Sequence, residues 1–416
     1  MFSEVLLYIH RFLESKISRL GGKFKGILLL GARQIGKTTL LRHLLPKAQY
    51  VVFDPVQNLY NARQDPDLFL QTHPTPLILD EVQFVPELLA TLKRVMDESS
   101  EYGQYYLTGS QNFSVLKPAC ESLAGRVAII ELDPLGIFEQ HGIALQDTWV
   151  NKLIFENYPL NGGQFSLIDT PLLPSIWRGG FPGTLGFDEQ DYPDFFRSYL
   201  QTYVERDVRL LANIKDLTQF SSFVALQATL TGHEVNSAHL GREIGVTPQT
   251  AKDWSEILCN SYQLFKIPAY SGNLIKRLSG KPKAYFVDTG FACYLMRINS
   301  PQALLGHPSF GHLFETFGVN QIIRVLKALG KNYSLHHWRT NGGAEVDLLI
   351  EIDGVFYPIE FKAKTNPTKR DLRGITQFRQ DYPGLKIGRG FIVHAGDKVY
   401  PLTETDIAVP LGMSLK

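Results

Sequence analysis

Gly31-Ala32-Arg33-Gln34-Ile35-Gly36-Lys37-Thr38 fits the P-loop pattern G-x-x-x-x-G-K-[ST] at every fixed position. A continuous apolar run, Gly26-Ile27-Leu28-Leu29-Leu30, precedes it, and a run of helical character from Lys37 to Leu45 follows. Strand, glycine-rich loop and helix in that order are the context in which the motif works. Glycine lets the backbone curl until its N–H groups converge on phosphate oxygens. Lys37 is placed to reach the β- and γ-phosphates, the Thr38 hydroxyl to face a bound Mg²⁺, and Thr39 beside it to contribute to the nucleotide site. The helix N-terminus adds its dipole to the same anion. Residues 31–39 are therefore expected to hold a nucleotide with Mg²⁺.

Apolar strand-like runs alternate with helical ones up to about residue 140: Tyr50-Val51-Val52-Phe53-Asp54, Pro76-Leu77-Ile78-Leu79-Asp80-Glu81, and Gln104-Tyr105-Tyr106-Leu107-Thr108-Gly109-Ser110. This pattern predicts an α/β domain built on a parallel sheet, with ligands at the strand C-terminal ends. Asp80 and Glu81 end one such strand. A carboxylate there can hold the Mg²⁺ shell, and its neighbour can orient or deprotonate an attacking water. Thr108 and Ser110 end the next strand, within reach of a γ-phosphate, although Thr-Gly-Ser is also ordinary turn chemistry. Arg126 is a candidate arginine finger or a surface arginine.

Taken together, several stretches resemble the prokaryotic AAA-type ATPases that carry a conserved C-terminal region of unassigned function. They are the P-loop, Leu79-Asp80-Glu81-Val82-Gln83, Leu107-Thr108-Gly109-Ser110 and Ser122-Leu123-Ala124-Gly125-Arg126, followed by Trp177-Arg178-Gly179-Gly180-Phe181-Pro182 and Thr202-Tyr203-Val204-Glu205-Arg206-Asp207. The resemblance covers nearly the whole chain. It implies that the nucleotide is ATP and that it is hydrolysed; it does not fix the biological task.

Bulk composition narrows the setting. The chain has 416 residues, 44% hydrophobic and 20% charged, with a net charge of +1, so two or three soluble domains are expected rather than a polycation. Residues 361–390 nevertheless hold eight Lys or Arg against Asp371 and Asp381, which is either a phosphate-facing patch or a solvated basic surface. Cys120, Cys259 and Cys293 are scattered without a CxxC pair, which fits a reducing cytosol and neither a disulfide framework nor structural zinc. The N-terminus, with Glu4, Arg11 and Glu14 among apolar residues, reads as an amphipathic helix, not a signal peptide, and no run suits a membrane span. A cytoplasmic location is expected.

Residues 141–190 are rich in Gly and Pro and read as a linker. Residues 191–230 are helical, and Arg206 or Arg209 there either reaches the nucleotide or pairs at the surface. Ser237 to Glu243, the turn Ile244-Gly245-Val246, the N-cap Thr247 and Pro248 then predict a helix-turn-helix, with Ala251, Trp254 and Leu258 on one face of the second helix. Strand-like runs near 262–270 and 283–288 can form a wing. The exposed positions Gln249, Thr250, Lys252, Asp253 and Glu256 offer only one cation, so this winged helix binds DNA weakly or contacts a protein partner.

Near the C-terminus, Glu345–Ile352 and Val355–Ala363 alternate in hydrophobicity around Asp353-Gly354, a type I′ hairpin signal. A two-residue loop makes paired residue numbers sum to about 707, so Asp347 faces Glu360 and Glu345 faces Lys362 on the side away from the apolar set. Opposed carboxylates repel unless a divalent metal joins them. Lys362 can orient a water or stabilise developing phosphate charge. D-x(12)-E-x-K resembles the PD-(D/E)xK nuclease-like fold, whose first helix contributes an acidic residue similar to Glu315. The resemblance implies Glu315, Asp347 and Glu360 as metal ligands; a solvated hairpin, or a silent fold that only grips nucleic acid, are the alternatives.

Three units are thus expected: an AAA-type P-loop α/β domain over 1–140, a helical and winged-helix domain over 191–300 after the linker, and an α/β restriction-endonuclease-like domain over 301–416. Two functions follow. One is an ATP-driven enzyme acting on DNA. The other is a regulatory switch ATPase that uses its later domains for protein contacts. The sequence leaves oligomeric state open, and with it whether Arg126 acts within one chain or across two.

Overall fold

The fold is that of a computed structural model describing all residues except 1–7, 54–58, 112–122, 157, 160–164, 170, 204–207, 209–213, 215, 273–279 and 416. Arg206 and Arg209 lie outside the described residues, as do Cys120, Ser122 and the start of the chain. From residue 8, the N-terminal segment enters α1 (Glu14–Gly21).

Five strands form the first sheet: β1 (Gly26–Leu30), β2 (Gln49–Val52), β3 (Leu77–Asp80), β4 (Tyr105–Gly109) and β5 (Val127–Glu131). All pairings are parallel, in the order β2-β3-β4-β1-β5. β1 is buried along its length, as an all-apolar run covered on both sheet faces must be. α2 (Lys37–Leu44) follows the P-loop, and α3 (Pro86–Glu98) links β3 to β4. Register aligns Leu30 with Gly109 and Leu79 with Leu107, so the ends carrying the P-loop, Thr108 and Asp80 share one edge. The start of β5 lies at the opposite edge, where Val127 pairs with Gly26.

The segment expected as an irregular linker contains a π-helix (Asn151–Phe155), β6 (Phe165–Leu167) and a helix at Leu172–Arg178. The buried Trp149 packs its ring on Phe391 at 5.7 Å between centroids, and β6 pairs with the last strand of the chain. Its apolar residues are core for later elements, which local composition does not reveal.

The middle unit holds α4 (Leu217–Thr229), α5 (Ser237–Ile244) and α6 (Pro248–Asn260). Gly245 ends α5 with φ 77°, a left-handed cap that suits glycine. Thr247 caps α6, its hydroxyl accepting from Thr250 N at 3.0 Å. Ala251, Trp254 and Leu258 are buried as their spacing requires, with Trp254 edge-on to Phe220 and Phe223. β7 (His233–Glu234), β8 (Leu264–Ile267) and β9 (Lys283–Phe286) form an antiparallel sheet in the order β7-β9-β8. Every residue of β9 is buried.

α7 (Phe310–Leu329) and α8 (Arg373–Asp381) cover opposite faces of the last sheet. Its strands are β10 (Ser334–Arg339), β11 (Glu345–Ile352), β12 (Val355–Lys362), β13 (Lys386–Ile387), β14 (Gly390–His394), β15 (Tyr400–Pro401) and β16 (Asp406–Pro410), in the order β10-β11-β12-β14-β16-β15, with β13 on β12. β17 (Met413–Leu415) pairs with β6. The hairpin register is as expected: Ile352 pairs with Val355, Leu349 with Pro358 and Leu348 with Ile359, around Asp353 (φ 49°) and Gly354 (φ 74°). The alternative of a solvated acidic face does not hold. Asp347 and Glu360 are buried, because α7 and α8 leave neither face of the hairpin to solvent. No helix among the described residues is long and apolar enough to cross a membrane.

Candidate functional site

At the first site, loop geometry follows from its glycines. Gly31 (φ 148°) lies where an added Cβ would be 2.3 Å from Leu132 O, and Gly36 adopts φ 90°. Lys37 Nζ donates to the carbonyls of Gly31 (2.9 Å) and Ala32 (2.7 Å), folding the ammonium over the loop where an anion would sit. Arg11, buried, braces the loop from outside: its guanidinium donates to Ile35 O (3.0 Å) and Asp133 O (2.5 Å), and pairs with Glu139 at 3.3 Å.

The expected acidic pair meets the loop. Asp80 Oδ2 accepts from Thr38 Oγ1 at 2.8 Å and from the Tyr50 hydroxyl at 2.7 Å. Burial and Asp80 together push the Tyr50 phenol well above its ordinary pKa, so it remains a donor. Asp80 Oδ1 accepts from Thr108 Oγ1, which in turn accepts from Glu81 N at 3.1 Å. Glu81 adopts φ 62°, in a region non-glycine residues seldom enter, and such strain concentrates at functional sites. Its carboxylate accepts from Gln83 Nε2, which also reaches Ser110 Oγ at 3.1 Å, and it lies 4.0 Å from Arg33. Thr38, Asp80, Glu81, Thr108 and Ser110 therefore form, through Gln83, one connected polar network beside the P-loop. An oxygen-only pair, Thr38 and Asp80, at the foot of a phosphate loop fits Mg²⁺.

Arg126 is not in this constellation. It forms two hydrogen bonds to Asp97 of α3, at 2.6 and 2.8 Å. It precedes β5 at the far edge of the sheet, about 17 Å from the P-loop end at 3.3 Å per strand residue. The geometry excludes it from the nucleotide site of its own chain.

Sequence reasoning missed a cavity of about 230 Å³ beside Gly36 and Thr39, walled by Tyr8, Ile9, Leu40, Pro182 and Leu185. An apolar slot next to a phosphate loop suits a nucleobase. The signal was present in Trp177–Pro182: Gly180 O accepts from Leu135 N (2.8 Å), and Gly179 lies where a Cβ would strike the buried Asp288 carboxylate. Asp288 accepts from Gly180 N and Phe291 N, and burial raises its pKa despite those bonds. The motif positions this wall. A larger cavity, about 440 Å³, lies between units around Tyr262, Arg324 and Lys327, away from the phosphate loop.

The C-terminal centre brings together Glu315 from α7, Asp347 from β11, and Glu360 with Lys362 from β12. It also contains an unforeseen residue, Lys283 of β9. Lys283 Nζ lies 3.0 Å from Glu315, 3.3 Å from Asp347 and 2.5 Å from Glu345. Glu345 therefore pairs with Lys283, not Lys362, a correction with a clear cause: regular pairing stops at Leu348 and Ile359, and Asp347 Oδ2 takes the N–H of Phe361 at 2.9 Å. Lys362 donates to Glu360 at 2.6 Å. Burial, then the Asp347 charge, lifts Glu315 to about 7 and Glu360 to about 8. For Asp347, burial is outweighed by Lys283, Lys362 and the Phe361 N–H, and its pKa falls below the usual range. A divalent ion does not fit these residues as arranged, because an ammonium already stands among them.

Comparison with known proteins agrees with the first unit. Residues 23–140 match the model of an AAA domain. The first unit has a P-loop NTPase fold of the AAA type. Residues 172–302 and 310–413 match two domains of unknown function, DUF8612 and DUF4143. Uncharacterized proteins of Mycobacterium tuberculosis and Mycobacterium bovis are each 29% identical over 388 residues, covering 92% of this chain and 79% of theirs. Among solved structures, a Walker-type ATPase of Pyrococcus abyssi is 14% identical, covering 69% of this chain and 96% of its own, with a TM-score of 0.42. The Thermotoga maritima RuvB Holliday junction branch migration motor is 16% identical over 66% of this chain and 96% of its own, with a TM-score of 0.30. Both likenesses are loose and say nothing of this chain's task.

Proposed function

We propose that this chain binds ATP with Mg²⁺ at Gly31–Thr39 and hydrolyses it. Lys37 and the loop N–H groups hold the phosphates, while Thr38 and Asp80 hold the ion. Bound Mg²⁺ supplies charge neutralisation at the phosphates. Glu81, oriented by Gln83, positions and deprotonates the attacking water, and Thr108 and Ser110 fix the network that holds it. The base enters the slot between Tyr8, Leu40 and Pro182. The observation that carries this reading is the 2.8 Å bond between Thr38 and Asp80, which joins the P-loop to the strand end bearing Glu81. Lys37→Ala should abolish nucleotide binding in a fluorescent-nucleotide titration, whereas Glu81→Gln should keep binding and lose about 100-fold or more in turnover. Retained binding in Lys37→Ala contradicts the assignment.

For the use made of hydrolysis, the switch reading is favoured: nucleotide state alters contacts with a protein partner, without cutting DNA. The helices α5 and α6 with β8 and β9 support a winged helix, and the hairpin supports a PD-(D/E)xK-like fold. Two observations turn both away from DNA chemistry. β9, the strand of the would-be wing, is buried, and its Lys283 fills the carboxylate centre. On α6, the exposed Asp253 and Glu256 outnumber Lys252. The basic stretch also dissolves in part, since Lys362, Lys364 and Arg379 pair with Glu360, Asp371 and Asp406. ATP turnover should therefore be the same with and without single- or double-stranded DNA. DNA-stimulated turnover would restore the DNA-processing reading.

A further inference from the structure

We propose that the Lys283 ammonium is the resident cation of the C-terminal carboxylate centre, so that the centre is a clasp between the middle sheet and the last sheet, closed to divalent metal.

An ammonium carries three donor hydrogens, and Lys283 Nζ has three carboxylates around it: Glu315, Glu345 and Asp347. They come from two elements of the last unit, α7 and β11, and converge on a side chain from the middle one. Opposed buried carboxylates require a counter-charge; here a lysine provides it. Several of the carboxylate oxygens carry further donors. Glu315 Oε1 accepts from the Tyr285 hydroxyl at 2.7 Å as well as from Lys283. Asp347 Oδ2 accepts from Phe361 N, and Glu360 Oε2 from Lys362. A divalent ion on Glu315 and Asp347 would lie about 2.0–2.6 Å from their oxygens. That is the space beside Nζ, where two cations would repel.

β9, the strand that carries the lysine, is tied to α7 and to the sheet beside it. Asn320 of α7 donates to Phe286 O (3.0 Å) and Val287 O (3.1 Å), and Phe286 N donates to Thr231 Oγ1 at 3.1 Å. Thr231 in turn bonds Thr316 of α7 at 2.9 Å. The sheet is continued across the junction by Tyr270 N to His337 O and His337 N to Pro268 O. Tyr285, on the same strand as Lys283, is fully buried. Lys283 is itself buried where the two sheets meet.

Mn²⁺ titrated into the nucleotide-free full-length chain, with free ion counted by electron paramagnetic resonance, tests this. Wild type and Asp347→Asn should bind the same number of ions. Lys283→Met should gain one Mn²⁺ per chain, and adding Asp347→Asn to it should remove that ion. Lys283→Met should also melt lower than wild type in metal-free buffer, with Mn²⁺ recovering part of the loss. If wild type binds one Mn²⁺ more than Asp347→Asn, the proposal is overturned, and that comparison decides even where Lys283→Met does not fold. A folded Lys283→Met that gains no ion also overturns it.

Discussion

At Asp80 the functional account reduces to one carboxylate serving two strands and a loop. It takes the Thr38 hydroxyl, the Tyr50 hydroxyl and the Thr108 hydroxyl together. Asp80→Asn keeps the shape but gives up an acceptor for a donor, so Mg²⁺-dependent nucleotide affinity should fall at least tenfold while Mg²⁺-independent binding changes little; equal losses would mean Asp80 does not face the ion. Arg126 makes the opposite prediction. Tied to Asp97 at the far sheet edge, its replacement by alanine should leave turnover per chain unchanged in dilute solution. A large loss that depends on protein concentration would mean that it acts on a neighbouring chain. Which residues form the phosphate site was legible because its motif is local: glycine positions and a lysine at fixed spacing. Arg11, Tyr50 and Lys283 were not, since each acts across the fold from a position with no local mark.

Among the elements, the C-terminal hairpin shows how far pattern reading carries. Turn chemistry at Asp353-Gly354 set the register of five residue pairs, and the observed partners sum as expected from Leu348–Ile359 to Ile352–Val355. Beyond Leu348 the strands part, and tertiary contacts decide where Asp347 and Glu345 point. Alternation alone could not show that α8 buries the second face. Close packing on the first face gives a test. Gly318 of α7 lies where a Cβ would be 2.3 Å from the Phe361 ring. Gly318→Ala should cost about 1–3 kcal/mol by overpacking, seen as a lower denaturant midpoint at unchanged slope. An unchanged midpoint would mean that this helix does not rest on β12.

Across the whole molecule, the units interlock rather than follow one another. Lys327 of α7 donates to Asp133 (3.0 Å), just past β5, and pairs with Glu131 (3.2 Å), the last residue of β5; Asp133 O takes Arg11, whose other nitrogen holds the P-loop at Ile35. Gln321 of α7 accepts from Ile137 N at 2.8 Å. A contiguous chain of bonds thus runs from the last unit to the phosphate loop. Heat unfolding followed by calorimetry should show one transition that MgATP shifts as a whole, and Lys327→Met should separate the first unit from the rest. Two transitions in wild type would contradict the interlock. Hydrolysis at the P-loop can be read from steady-state phosphate release from MgATP by wild type and Glu81→Gln at matched nucleotide occupancy. Wild type should turn over and Glu81→Gln should not; equal rates in the two proteins, or none in nucleotide-saturated wild type, would mean that the site does not hydrolyse ATP as assigned.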